Sequence, residues 1–486
     1  KEPSANKEPS ANKEPSANKE PSANKEPSAN KEPSANKEPS ANKESLANQP
    51  VNRLFWRYTI PAVVGMLVNG LYATIDGIFI GQVVGADGLA AMNLSWPLFG
   101  IIIGIGMMIG MGSSARSSIA RGQGDLPGTK AILGNGIVLM LLAGLLQTAI
   151  LFYVGNPILQ LMGATGSVYE MSSDYLFYIS LAATMATAGA GLPMMVRNDE
   201  RPLLATLIIS TGAVLNIVLD YLFIIVWQQG IAGAAIATII AQSVTAIWSL
   251  LYFFSPKARL RLGLKDLGLR LQDSWNILAI GLPSLTMFAY MSFVLAIHNK
   301  LFLIYGSVTT LAAFTIVGYI QAVYYMTAEG IANGIQPIVS FNKGANNNGN
   351  IHAAIRMGVT AALGLGIGTV LFINLFPEAI AGVFNRDNPQ LVSETVFGLR
   401  LHLMTMFLDG FIVVAAAYFQ SLAKSRTATF ITVGNMAVQI PLLIALPPLF
   451  GATGVWLAMP ISNIFLAAVV IWLLMKDLKE RPVTAG

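Results

Sequence analysis

The sequence predicts an all-α membrane protein: twelve transmembrane helices in two pseudo-symmetric six-helix lobes related by a parallel repeat. Three observations lead there. Apolar runs of membrane-spanning length recur along the chain, the basic residues between them fall almost entirely on one side, and a set of landmarks repeats after 222 residues.

Of 486 residues, 54% are hydrophobic and 11% charged, with 45 Gly and 24 Pro. This is the composition of a polytopic membrane chain. About 20 residues at a rise of 1.5 Å each cross the hydrocarbon. By that measure spans lie near residues 56–80, 88–112, 131–154, 174–195, 203–227 and 230–254, then 275–298, 308–336, 353–376, 397–420, 428–449 and 452–475. There is no cysteine, which excludes disulfides, thiolate metal sites and cysteine nucleophiles. Residues 1–42 are seven copies of Lys-Glu-Pro-Ser-Ala-Asn, followed by a degraded copy from Lys43 to Asn48. A helix breaker every sixth position and no large apolar residue in the unit predict a disordered tail over residues 1–48. The tail has no apolar h-region, so no cleavable signal peptide is expected ahead of the first span.

The basic residues orient the spans. Arg53, Arg57, Arg116, Arg121, Lys130, Arg197, Arg201, those from Lys257 to Arg270, and Lys343, Arg356, Lys424, Arg426, Lys476, Lys479 and Arg481 make nineteen on one side, against Lys300, Arg386 and Arg400 on the other. The positive-inside rule then puts both termini and the loop 255–273 in the cytoplasm, with the chain in the cytoplasmic (inner) membrane. Basic residues in short loops are a topology signal, so membrane lipid is an expected partner and nucleic acid is not.

The loop 255–273 separates a first lobe, residues 49–254, from a second, residues 274–476, with a short tail at 477–486. A shift of 222 residues lays Pro61 on Pro283, Leu89-Ala90-Ala91 on Leu311-Ala312-Ala313, and Gly112, Ser118 and Gly122 on Gly334, Ser340 and Gly344. Further on the register drifts: Gly230 and Gly233 fit Gly451 and Gly454 at a shift of 221. Six spans per half is an even number, so both halves enter from the same side and the repeat axis runs along the membrane normal.

Polar residues inside such spans are costly, about 3 kcal/mol upward for an Asp at the centre of a membrane helix, and face a protein interior or a water-filled cavity. Asp220 lies within the fifth span, and Asn216, four residues earlier, projects from the same helix face. Asp76 lies in the first span and Thr238 in the sixth. Bland alternatives stay open for these two, a carboxylate neutralised near the span end and a hydroxyl bonded to its own helix. Together the four offer only oxygen and amide ligands, which suit a proton or an alkali cation such as Na+ rather than a soft metal. Two carboxylates held close in a low dielectric do not both ionise cheaply.

The second lobe has its own candidates in Asp409, His298 and Glu329. His298 is the 222-residue counterpart of Asp76, with an interfacial position as its alternative reading. Asp409 lies well inside the tenth span, and Glu329 precedes a Gly-rich stretch that ends at Pro337. Tyr290, Met291 and Tyr325 are candidates for an apolar ligand-holding cleft, since methionine repacks easily, or for ordinary bundle packing. No Walker lysine loop occurs, and His298, His352 and His402 lack metal-ligand spacing, so neither ATP hydrolysis nor a membrane-embedded enzyme is expected.

On residues 50–480 the chain resembles the multidrug and toxic compound extrusion family of secondary transporters. The resemblance is carried by Ile60-Pro61 with Asp76-Gly77, Gly112 to Asp125, Asn216-Ile217-Val218-Leu219-Asp220, Gly233-Ala234-Ala235 to Thr238, and Gln336-Pro337-Ile338 with Asn342-Lys343-Gly344-Ala345. It implies a central cleft between the lobes and export of small organic, often cationic compounds against inward Na+ or H+, with no cofactor. The family's cation-site positions in the first lobe match Asp76, Asn216, Asp220 and Thr238, and its tenth-span carboxylate matches Asp409. Some members carry a Glu eight residues after the Gly-Leu-Pro of the seventh span; here that residue is Met291, which places the expected site in the first lobe. A flippase or exporter for a lipid-linked or large amphipathic natural-product precursor is the competing expectation, and would require cationic side chains in the cleft. A monomer is expected.

Overall fold

The structure is a computed structural model and describes residues 46–384 and 387–483. The hexapeptide repeats, and Arg386 of the charge pattern, lie outside the described residues. Leu46, the large apolar residue that the degraded repeat copy acquired, is 1% exposed and packs with Leu54, Phe55 and Tyr58.

Ten helices are long and apolar enough to span a membrane, and two bent pairs complete twelve. In the first lobe these are α1 (Val51–Val83), α2 (Ala86–Gly122), α3 (Leu126–Leu161), the pair α4 (Gly166–Leu181) and α5 (Ala183–Asn198), α6 (Pro202–Asp220) and α7 (Gly230–Phe254). The second lobe has α8 (Leu271–Tyr305), α9 (Val308–Gly344), α10 (Asn348–Leu375), the short α11 (Pro377–Phe384), the pair α12 (Pro389–His402) and α13 (Met406–Ser421), α14 (Ser425–Ala445), the single turn α15 (Pro447–Phe450) and α16 (Ala452–Glu480). No strand occurs among the described residues. Helices satisfy their own backbone, which lipid requires. Their outer faces expose large apolar side chains such as Leu146, Phe293 and Phe465.

Spans four and ten, expected as continuous helices, are each broken, by 61° and 48°. At the first-lobe break Thr148 Oγ1 donates to Ser180 O at 2.8 Å, just before the bend at Ala182, a side chain bonded to a helix carbonyl as such kinks commonly show. At the second-lobe break, His402 Nδ1 meets Trp456 O at 3.0 Å and Asn463 donates to Thr405 Oγ1 at 3.5 Å.

The repeat is visible in contact. A side chain at Gly122 would run into the carbonyl of Phe341, and one at Gly344 into the carbonyl of Ile119. Both pairs, Gly122 with Gly344 and Ile119 with Phe341, are 222 residues apart, so the ends of α2 and α9 cross about a twofold axis. These closest approaches lie at the basic end. Farther along the same helices, a Cβ placed at Gly100 or Gly318 would meet nothing within 4 Å. The lobes are clamped at the basic end.

The clamp also exchanges material between lobes. Val51, Leu54, Phe55 and Tyr58 of α1 share a core with Ile335, Ile338, Ile355 and Val414 of the second lobe, and Ile277 of α8 joins Ile137, Met195 and Ile208 of the first. The connecting loop is held down rather than loose. Asp199 accepts from Tyr252 Oη at 2.6 Å and from the backbone amides of Arg259 and Leu260 at 2.9 and 3.0 Å, while Glu200 pairs with Arg121 at 3.1 Å and with Arg259. Asn135 Oδ1 receives the amide of Arg270 at 3.0 Å and the hydroxyl of Ser274 at 3.1 Å.

Candidate functional site

Proline at the first helical position starts α6, where its missing N–H costs nothing, and the helix stays regular to Asp220. It then widens into a π-helix over Tyr221–Val226, with Trp227 N–H donating to Leu222 O, five residues back. Such widened turns are rare and cluster at functional sites. This one sits directly beyond the acid.

The spacing of Asn216 and Asp220 puts both on the buried face of α6, opposite Thr238 of α7. The Asn216 amide is best satisfied with its nitrogen toward the acid. Nδ2 then donates to Asp220 Oδ2 at 3.1 Å and Oδ1 accepts from the Thr238 amide at 3.3 Å. Turned over, it meets the Thr238 hydroxyl at 3.4 Å. Asp76 arrives from α1, and its charge acts on Asp220. Both carboxylates are buried, 4% and 0% exposed. The Oδ1 atom of each has no hydrogen-bond partner among the described residues. Buried polar atoms are normally satisfied, so these two orphaned acceptors are oxygens that an alkali cation or a proton would complete.

Sequence reasoning missed three neighbours. Tyr72 and Tyr175 both lie near enough for the charges of Asp76 and Asp220 to act on them, and Gln242 lies near Tyr72. Two carried a signal: Tyr72 precedes Asp76 by four residues and Gln242 follows Thr238 by four, which is one helix face in each case. Tyr175 comes from α4, and its approach depends on packing alone.

The candidates of the second lobe occupy separate places. Asp409 lies buried in the first turn of α13, just past the bend, where the side chains of Tyr290, Tyr324 and Tyr325 feel its charge. His298 sits instead in a ring cluster. It stacks on Phe314 with 5.2 Å between centroids and 6° between planes, meets His402 edge-on at 5.7 Å, and holds Val294 O with Nδ1 at 2.9 Å. That packing removes the interfacial reading.

Glu329 lines a small cavity between the lobes, together with Met107, Met111, Met287, Asn333 and Gln420. Tyr325 feels Glu329 and Asp409 together, and Tyr290 is half-buried and hydrogen-bonded to Gln439. Met291 is exposed, and Met287, one turn earlier, takes the cavity wall. Arg197, counted above with the loop residues, is buried at the end of α5. No group of three or more metal-ligating acids and imidazoles occurs among the described residues.

A two-lobed helical bundle with a cavity between its halves and paired acids inside one of them defines a polytopic membrane transporter. The MatE family model matches residues 61–222 and 283–444, two stretches that start and end 222 residues apart, and the chain belongs to that family. It is similar to the multidrug export protein MepA of Staphylococcus aureus strain MSSA476, with 25% identity over 88% of this chain and 95% of that protein. The protein of the same name from Staphylococcus saprophyticus is 22% identical over 86% and 93%. Among solved structures, the fold resembles an outward-facing multidrug resistance MATE family transporter of the MOP superfamily, with a TM-score of 0.85 and 24% identity over 91% and 99% of the chains. A MOP superfamily transporter from Pyrococcus furiosus superposes with a TM-score of 0.84 at 24% identity over 90% and 98%.

Proposed function

We propose that the chain exports small organic compounds, often cationic, across the cytoplasmic membrane in exchange for an inward-moving Na+ or H+, with the basic end and both termini on the cytoplasmic side. The observation that carries this reading is the Asp76 and Asp220 pair, buried together with one unpartnered oxygen each.

An empty pair of neighbouring carboxylates concentrates negative charge in a low dielectric, so the pocket gains most from one cation. Asn216 steadies one oxygen of Asp220 and leaves the other free. The widened turn beyond Asp220 joins α6 to α7, so occupancy of the acid bears on how these helices pack against α1. The lobes, clamped at the basic end, would alternate between access to either side, and the inter-lobe cavity would hold the exported compound. The competing flippase reading calls for a cationic cleft. Among the described residues that line the inter-lobe cavity there is no Lys or Arg.

The test is reconstitution in proteoliposomes with a fluorescent organic cation, imposing a Na+ gradient and a pH gradient in turn. One gradient is expected to drive uptake or release, and Asp76→Asn or Asp220→Asn should abolish the drive in protein that still reaches the membrane. Gradient-driven transport that survives both substitutions refutes the coupling site.

A further inference from the structure

The cavity between the lobes has one charged side chain on its wall, and nothing in the protein claims it. Among the described residues that line it, Glu329 is the lone ionisable group, with Ser284, Asn333, Gln420 and Thr432 as its polar company. No ion pair among the described residues includes Glu329. Asn333, one turn on along α9, is 3% exposed, and its Nδ2 has no partner, so it does not bond the carboxylate. Gln420 has spent its nitrogen on Ile280 O at 2.9 Å and Ser284 Oγ at 3.0 Å, which leaves its amide oxygen for a ligand. The cavity therefore offers acceptors and no cation to meet them, and a carboxylate so placed gains from a cationic partner that can hydrogen-bond.

Three features of the wall say what kind of cation. The free volume is about 40 Å³, where one water-sized group needs roughly 10–15 Å³. An ammonium head and its first methylene fit there, while a trimethylammonium head brings three more carbons. The wall also yields unevenly. Met107, Met111 and Met287 can swing aside for an apolar body, but Ala332, Ala416 and Ala417 have no side-chain torsion with which to move. Finally, no aromatic ring lines the cavity among the described residues, and a ring face is what recognises a quaternary ammonium group.

We infer that the cavity selects protonated primary and secondary amines over quaternary ammonium compounds, with the N–H groups on Glu329 and the Gln420 oxygen and the apolar remainder among the methionines. An N–H donor brings its charge to hydrogen-bonding distance of the carboxylate. A quaternary nitrogen has no N–H to give, and its methyls hold the charge off and press on a wall that cannot retreat. The inference rests on the proposal that this cavity is the substrate site, and adds which organic cations it prefers.

Three ligands on one fluorophore test it: dansylcadaverine, a primary ammonium; its N,N,N-trimethyl derivative, a quaternary ammonium; and its N-acetyl derivative, which is neutral. Binding to the purified full-length protein is read by fluorescence anisotropy. The primary ammonium is expected to bind about tenfold tighter than the quaternary one, with the neutral compound weakest. Glu329→Gln should erase the preference by bringing the primary ammonium down to the neutral compound. Should Glu329→Gln fail to fold, Glu329→Asp takes its place: it keeps the charge but draws it back by one methylene, so the primary ammonium should lose more affinity than the quaternary one. Equal affinity for the two cations in the native protein, or an unchanged ratio between them in the variant, overturns the inference; weakening of both cations alike by the variant would then still support the cavity as the substrate site. Affinities that no substitution changes would put the ligand elsewhere and overturn both.

Discussion

The first helix of each lobe carries an ionisable residue at the same depth, Asp76 in one and His298 in the other, and the surroundings of the two have diverged. Around Asp76 the lobe gathers Asp220, Asn216, Thr238 and two tyrosines and leaves carboxylate oxygens unpartnered. Around His298 it gathers Phe302, Phe314, Trp456 and His402, with each imidazole Nδ1 tied to a backbone carbonyl. A backbone that repeats almost residue for residue thus supports a hydrophilic pocket on one side and a packed ring cluster on the other. Pseudo-symmetry of the chain path fixes where a site can be. The chemistry is set by which helices bring polar side chains to that depth.

The comparison can be broken at several strengths. The largest effect is expected from Asp220→Asn and Asp76→Asn, each lowering gradient-driven transport in proteoliposomes by about a hundredfold or more, the scale of losing a charge interaction of about 3 kcal/mol. Replacing the counterpart, His298→Phe, should leave the drive intact; loss of coupling there would show that the second lobe shares the ion site.

Next comes His298→Asp, which places an acid in the second lobe without an Asn and Thr to receive it. Leaving a buried charge uncompensated costs about 3–5 kcal/mol, so a large drop in thermal stability in detergent is expected. A tolerated acid at that position would mean that its environment is as polar as that of Asp76.

Steric tests of the shared frame are smaller. Gly122→Val and Gly344→Val should each destabilise by about 1–3 kcal/mol, since the added methyls meet backbone carbonyls that cannot move aside. Similar costs for the two, read by thermal unfolding, would show that the twofold contact is symmetric in energy as well as in geometry. The smallest change is expected from His298→Phe, within about 1 kcal/mol of native stability, because a ring of similar size keeps the stack and removes the unpartnered Nε2.

Much of the architecture was legible in the residues. The apolar runs gave twelve crossings because lipid leaves backbone amides no partner but their own helix, and Gly122 and Gly344 gave the repeat because a carbonyl approaching that closely tolerates no side chain. Asp76, Asn216, Asp220 and Thr238 stood out because polarity at membrane depth is expensive. Other features were not legible. Nothing local distinguishes Arg197 from its neighbours in the basic loops, and only the fold shows that it is buried at the end of its helix. Helix breaks at Ala182 and near Thr405 depend on side chains from other helices, such as Thr148 and Asn463, that no window of sequence contains.

What the sequence determined by itself was the number of crossings, the twofold path and the set of acids that must be sheltered, since each follows from short-range patterns and the cost of polarity in lipid. What the tertiary structure alone decided was how the sheltered acids are distributed between the lobes, that α1 and α8 each lend their basic ends to the opposite lobe, and that Glu329 lines the cavity between them. Those depend on contacts between segments far apart in the chain, and only packing brings them together.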